Sequence, residues 1–194
     1  MGNFIMINFL KKSLLLLFLV LLPIITKAQH KFGVLAGVNL SALSDGILNS
    51  TYLGSNSFSF HIGGVYELEL KEKIAFRPKI IYSQQGDRET FDSNINYELT
   101  YLNFPLDFKF FQKPYLIAGP QIGFLIDTKK NSGDFGDLPI FDYGANIGIG
   151  FDIKDFFIEF NAYQGFNTLI EIEFAYEDIE ATNTVLQLSF GYHF

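Results

Sequence analysis

Beyond residue 30, apolar and polar residues alternate with a period of two, and no 3.6-residue apolar period is sustained. From Lys31 to Ser41, Phe32, Val34, Ala36, Val38 and Leu40 share a face opposite Gly33, Gly37, Asn39 and Ser41, with Leu35 as the exception. Phe58, Phe60, Ile62, Tyr66, Leu68 and Leu70 alternate with Ser59, His61, Gly63, Glu67 and Glu69. Ile74, Phe76, Ile80 and Tyr82 oppose Arg77, Lys79 and Ser83, while Leu102, Phe104, Leu106, Phe108 and Phe110 oppose Tyr101, Asn103, Asp107 and Lys109. Four more segments repeat the pattern around Leu116–Phe124, Tyr143–Phe151, Phe156–Ala162 and Thr184–Phe194. The alternation therefore predicts eight strands, each long enough for the roughly 9–11 residues of a tilted membrane strand.

The links between them alternate in length. Ala42–Ser57, Gln85–Ile95, Ile126–Ile140 and Thr168–Ala181 are long, whereas Lys71–Lys73, Phe111–Lys113 and Ile153–Asp155 are short. Short turns on one side and long loops on the other are the signature of an all-β, eight-stranded antiparallel up-and-down transmembrane β-barrel. An even strand number returns both chain ends to the short-turn side. The alternative is a soluble periplasmic lipocalin-like barrel that binds a small apolar ligand, since alternation does not say which face points inward. Three features favour apolar residues facing out. The polar faces are rich in glycine (Gly144, Gly148 and Gly150 on one strand), which suits a crowded lumen. The apolar faces are bulky and nearly uninterrupted, with Tyr66, Tyr82, Tyr143 and Tyr192 toward strand ends, as in interfacial girdles. The sequence given ends at Phe194 on the apolar face.

Residues 1–28 read as a cleaved signal peptide. Lys11 and Lys12 precede an apolar run from Leu14 to Ile25, Pro23 interrupts it, and Thr26-Lys27-Ala28 offers a cleavage site. The run is shorter than the roughly 18–20 residues of a spanning helix. Residues 29–194 then form one outer-membrane β-barrel domain. The chain has 14 Lys and Arg against 21 Asp and Glu. The leader holds three of the bases and no acid, so the exported part is more acidic still. That excludes a nucleic-acid binder, which needs a basic face. Cysteine is absent, which removes disulfides, thiolate metal sites and a cysteine nucleophile. With 23 Phe, 10 Tyr and 17 Gly and only 18% charged residues, the composition fits neither a helical bundle nor a disordered chain.

Several stretches are similar to one known family. Lys31-Phe32-Gly33-Val34-Leu35-Ala36-Gly37-Val38-Asn39-Leu40-Ser41 resembles the first strand of the outer-membrane β-barrel domain proteins common in Bacteroidetes, the PorT-like group. Tyr101-Leu102-Asn103-Phe104-Pro105-Leu106 followed by Lys109, Pro114-Tyr115-Leu116-Ile117-Ala118-Gly119-Pro120 and the aromatic terminus are similar too. The resemblance implies insertion by the outer-membrane assembly machinery, which would read Phe194 as its signal. It also implies, as an alternative role, an accessory subunit of a secretion or envelope complex. Many members carry an acid where Asn103 stands, so no charge role is carried over there.

Eight strands leave a bore just wide enough for side chains to fill. Glu67, Arg77, Lys79, Asp107, Lys109 and Glu159 share its parity, and the Lys71-Glu72-Lys73 turn sets Glu67 across from Arg77. Pairing of these charges is expected to make a structural plug, in preference to the alternative of a selectivity ring or proton path, and a general diffusion pore is not expected. Pro78, Pro105 and Pro120 fall inside strands, where bulges or positions above the apolar band are expected. His30, His61 and His193 lack metal-ligand spacing, and no loop offers a Ser, His and acid set, so neither catalysis, cofactor nor metal is expected. Asn131–Asp137 does not match a calcium loop and reads as a turn. The last long connection alternates Glu171, Glu173, Glu177, Asp178 and Glu180 with apolar residues, so its hairpin is expected to continue outside the membrane. The sequence thus points to a non-enzymatic protein whose role is structural or surface-binding. Its expected partners are outer-membrane lipid, the assembly machinery and other envelope proteins.

Overall fold

The protein's structure, a computed structural model, describes residues 30–44, 57–88, 96–130, 138–174 and 177–194. The expected signal peptide, its expected cleavage point and the Asn131–Asp137 stretch lie outside the described residues. The strands are β1 (His30–Ser44), β2 (Ser57–Lys71), β3 (Ile74–Arg88), β4 (Asn96–Phe110), β5 (Tyr115–Lys130), β6 (Phe141–Ile153), β7 (Phe156–Gly165), β8 (Ile170–Phe174) and β9 (Glu177–His193). Neighbours from β1 to β7 pair antiparallel in chain order, β7 pairs with β9, and β9 returns to β1. The result is a closed eight-stranded antiparallel barrel. The short β8 pairs with the start of β9, from Ile170↔Ala181 to Phe174↔Glu177, and makes a two-stranded ribbon beyond the wall.

Apart from the terminal Phe194, the eight alternating segments lie within strands, but most strands run further than the alternation does. Gln85–Arg88, Ile126–Lys130 and Glu177–Ala181 belong to strands, not to the connections in which the sequence pattern left them. Fifteen residues at about 3.3 Å each exceed what a tilted strand needs to cross an apolar band about 25 Å tall. Beyond the band the ladder continues on backbone hydrogen bonds, and the apolar alternation is no longer required.

The faces are inverted relative to a soluble barrel. Phe32, Ile62, Ile147 and Leu188 are 62%, 56%, 63% and 50% exposed on the outside, and Tyr66, Tyr82, Tyr143 and Tyr192 also point out. Arg77, Asp107 and Glu159 are 0% exposed on the inside. Such a distribution does not describe a ligand barrel with an apolar interior. Leu35 is the exception in the first strand because it points inward, where it packs with Val65, Ile81 and Phe157. Glycines on the lumen face make room for large rings. A Cβ on Gly150 would lie 2.4 Å from the Tyr115 ring, and one on Gly191 would lie 2.1 Å from that of Phe157.

The prolines are accommodated without bulges. Register shifts occur between Glu69 and Lys71 and between Thr100 and Tyr101, away from all three. Pro78 pairs with Leu106, Pro105 with Gln121 and Pro120 with Ala145, each on the following strand. Toward the preceding strand the pairs skip the proline and resume in the same register, as from Val65↔Lys79 to Leu68↔Phe76. A strand interior to a closed sheet has two partners, so a missing N–H interrupts one ladder while the other holds the register.

The β6–β7 turn consists of Lys154 and Asp155, with Ile153 paired to Phe156. Lys154 has φ 58°, in the left-handed region that disfavours L-residues by about 1–2 kcal/mol. Lys154→Gly is expected to raise stability by about 1 kcal/mol in urea titrations in neutral-lipid vesicles. Unchanged or reduced stability would show that the turn is unstrained.

Candidate functional site

The six charged residues predicted to face the bore meet there in one network. Each comes from a strand whose outward neighbours are apolar, so the two-residue period alone turns it inward. Arg77 of β3 bonds Glu67 of β2 through Nη1, while its Nη2 lies 2.7 Å from Glu159 Oε1 on β7. Lys79 Nζ reaches Glu159 Oε2 at 2.7 Å and Asp107 Oδ2 at 3.1 Å. Lys109 Nζ reaches Glu67 at 3.2 Å and Asp152 Oδ2 at 2.7 Å. The Asn146 amide donates to both Asp107 oxygens, at 3.0 and 3.1 Å, and the Tyr115 hydroxyl donates to Glu159 Oε1 at 3.0 Å. Aromatic faces complete the packing: the Arg77 guanidinium lies 4.5 Å from the Phe157 centroid and Lys109 Nζ lies 4.1 Å from that of Tyr115. Three cations thus face four carboxylates in a bore closed to lipid, and all but Asp152, which meets Lys109 alone, are held by more than one partner.

Tyr115, Asn146, Asp152 and Phe157 were not singled out as members of this network. Asp152 follows Asn146, Gly148 and Gly150 at two-residue steps, and that parity is the signal that marks it. Tyr115 and Phe157 are hidden because an aromatic ring at a strand end reads equally well as an interfacial residue.

A second, uncharged network lies further toward the long-connection end. His61 Nδ1 is 2.7 Å from Asn39 Oδ1, and His61 Nε2 is 2.8 Å from Ser189 Oγ. The Asn39 amide nitrogen donates to the Gln84 carbonyl at 2.6 Å and to Ser83 Oγ at 3.0 Å. Its oxygen therefore faces His61, so Nδ1 carries the proton and Nε2 accepts from the serine. The order is that of a nucleophile, a base and an orienting amide, assembled in the wall rather than in a loop. All three residues are buried, and a Cβ on Gly37 would lie 2.0 Å from the Leu188 carbonyl and 2.8 Å from the His61 ring. The packing ties β1, β2, β3 and β9 together and leaves Ser189 no approach from that side.

Beyond it the bore is capped by Leu43, Leu99, Tyr101, Leu169 and Ala181, with Leu125 and Leu138 against them. At the opposite, short-turn end a cavity of about 420 Å³ opens outward, with Glu67, Lys109, Asp152 and His193 at its base. Both ends of the described chain lie here: the His193 N–H donates to the Asp155 carbonyl and the Phe194 N–H to that of Phe32. The Phe194 side chain is exposed on the apolar outside, its ring 5.5 Å from that of Tyr192.

The five acids of the last connection lie on the β8–β9 ribbon, whose backbone sets Glu171 opposite Glu180 and Glu173 opposite Asp178.

Comparison with known proteins bears on this architecture. The family model for the outer membrane protein beta-barrel domain matches residues 27–171. The attachment invasion locus protein of Yersinia pestis superposes with a TM-score of 0.50 at 14% identity, over 86% of this chain and 99% of that one. Neisserial surface protein A superposes with a TM-score of 0.55 at 10% identity, over 84% of this chain and 97% of that one. At these identities the likeness is one of fold. No curated protein sequence matches the chain.

Proposed function

Because the chain belongs to the outer membrane protein beta-barrel domain family, we propose that it is a non-conducting, non-enzymatic outer-membrane barrel that acts through the surface built by its long connections. The observation that carries this reading is the filled bore. A connected ion network and an apolar cap of Leu43, Leu99, Tyr101, Leu169 and Ala181 stand in series across it. A route for solutes would require both to come apart, and breaking buried ion pairs costs several kcal/mol. The β8–β9 ribbon and the extended ends of β3, β4 and β5 then form the exposed working surface. The narrower reading, a PorT-like subunit of a secretion or envelope complex, rests on the sequence motifs of β1, β4 and β5.

Two measurements test the proposal. Purified protein in planar bilayers is expected to give no stable conductance steps, and reproducible steps from the wild-type barrel would contradict a plugged bore. On intact cells, a glutamate-specific protease is expected to cut within residues 168–181. Cutting confined to the short turns would mean that the ribbon does not face outward.

A further inference from the structure

Each short turn repeats one small pattern. An exposed apolar residue closes the outward band, and a lysine follows one or two residues later: Leu70 and Lys71, Phe111 and Lys113, Ile153 and Lys154. Lys73 completes the first turn. All four lysines are exposed and stand around the mouth of the short-turn cavity. Among the described residues none of the four pairs with a carboxylate, whereas Lys31 and Lys109, which line the same cavity, do so with Glu69 and with Glu67 and Asp152. The only acids on these turns are Glu72 and Asp155. The turn rim therefore carries a positive excess in a chain whose formal net charge is −7. The long connection at the other end, residues 168–181, holds five acids and no base.

We infer that this rim is a docking surface for the anionic phospholipid headgroups of the leaflet that surrounds the short turns. The inference rests on the membrane reading above and adds to it a lipid chemistry and a direction. The chemical argument is the pairing within each turn. Leu70, Phe111 and Ile153 end the hydrocarbon-facing surface, so the next residues stand at headgroup height. A lysine there reaches phosphate with its ammonium while its stem stays against apolar surface. Near an anionic leaflet each such lysine contributes about a fivefold factor, and salt screens it. The acidic ribbon at the far end gains nothing from the same headgroups, so the two ends of the barrel differ in the lipid they favour.

The test compares folding of the full chain into neutral phosphatidylcholine vesicles and into vesicles containing about a third phosphatidylglycerol. Folding equilibrium constants are measured by urea titration at low salt. The ratio of the anionic to the neutral constant is expected to fall at least tenfold in the quadruple variant K71Q/K73Q/K113Q/K154Q relative to wild type. Its neutral-vesicle constant should stay unchanged. The paired variants K71Q/K73Q and K113Q/K154Q should each give about half of the logarithmic loss, so the reading survives poor folding of the quadruple variant. High salt should erase the difference. Equal ratios in wild type and all variants would overturn the inference while leaving the membrane reading intact. Failure of the wild type to insert even into neutral vesicles would instead overturn the membrane reading.

Discussion

Ile149→Arg and Leu188→Arg are each expected to destabilise the folded barrel by about 2–4 kcal/mol in lipid, the cost of a cation on the lipid face near the bilayer midplane. Ile149 pairs with Leu116 and Phe160, and Leu188 pairs with Val38 and Phe160, so both lie in one row of outward apolar residues. The neighbours of each in sequence lie on the lumen face: Gly148 and Gly150 flank Ile149, and Gln187 and Ser189 flank Leu188. In water an exposed isoleucine or leucine replaced by arginine is close to neutral, since surface substitutions rarely exceed half a kcal/mol or so. The size of the loss therefore reports the solvent of this face. Urea titrations in vesicles provide the measurement, and no loss for either variant would contradict a hydrocarbon environment.

The second large effect is expected inside. Arg77 is fully buried between Glu67 and Glu159, with Asp107 across from it on β4. Arg77→Gln leaves these carboxylates with Lys79 and Lys109 as their only cations and is expected to cost about 3–5 kcal/mol. Glu67→Gln should cost less, because Lys109 keeps Asp152 and Arg77 keeps Glu159. Combined, the two substitutions remove a carboxylate together with its partner, so the double variant should recover part of the summed loss. Strictly additive losses would mean that Glu67 and Arg77 do not interact, despite their contact.

The position of each side chain on one face or the other was legible in the sequence, because a strand's period of two is set by its backbone. That is why Glu67, Arg77, Lys79, Asp107, Lys109 and Glu159 could be assigned to the bore from parity alone. Glu67 and Arg77 do meet, but not through the turn alone: the ladder leaves the turn as Lys71↔Ile74 and shifts by one residue before Glu69↔Ala75. Contacts across the bore were not legible. Lys79 meets Glu159, and His61 meets Ser189, through the stagger of a closed sheet, which parity along single strands does not contain. Leu35 illustrates another limit. An apolar residue on the lumen face breaks the alternation, yet it packs with Val65, Ile81 and Phe157 in a bore that is not uniformly polar. The strand ends were hidden for a third reason: outside the hydrocarbon the backbone still pairs while side-chain selection relaxes. The prolines produced no bulge because each interrupts only the ladder toward its preceding strand.

Whether the Phe-, Leu- and Ile-rich face touches lipid tails is reported by its methyl groups without any substitution. The protein is placed in nanodiscs containing lipid with a nitroxide near the acyl-chain end, and line broadening is read for isoleucine and leucine methyls. Ile62, Ile80, Ile147, Ile149 and Leu188 should broaden strongly, while the inward Leu35, Ile81 and Ile117 stay sharp. Broadening of the second group with sparing of the first would contradict the account.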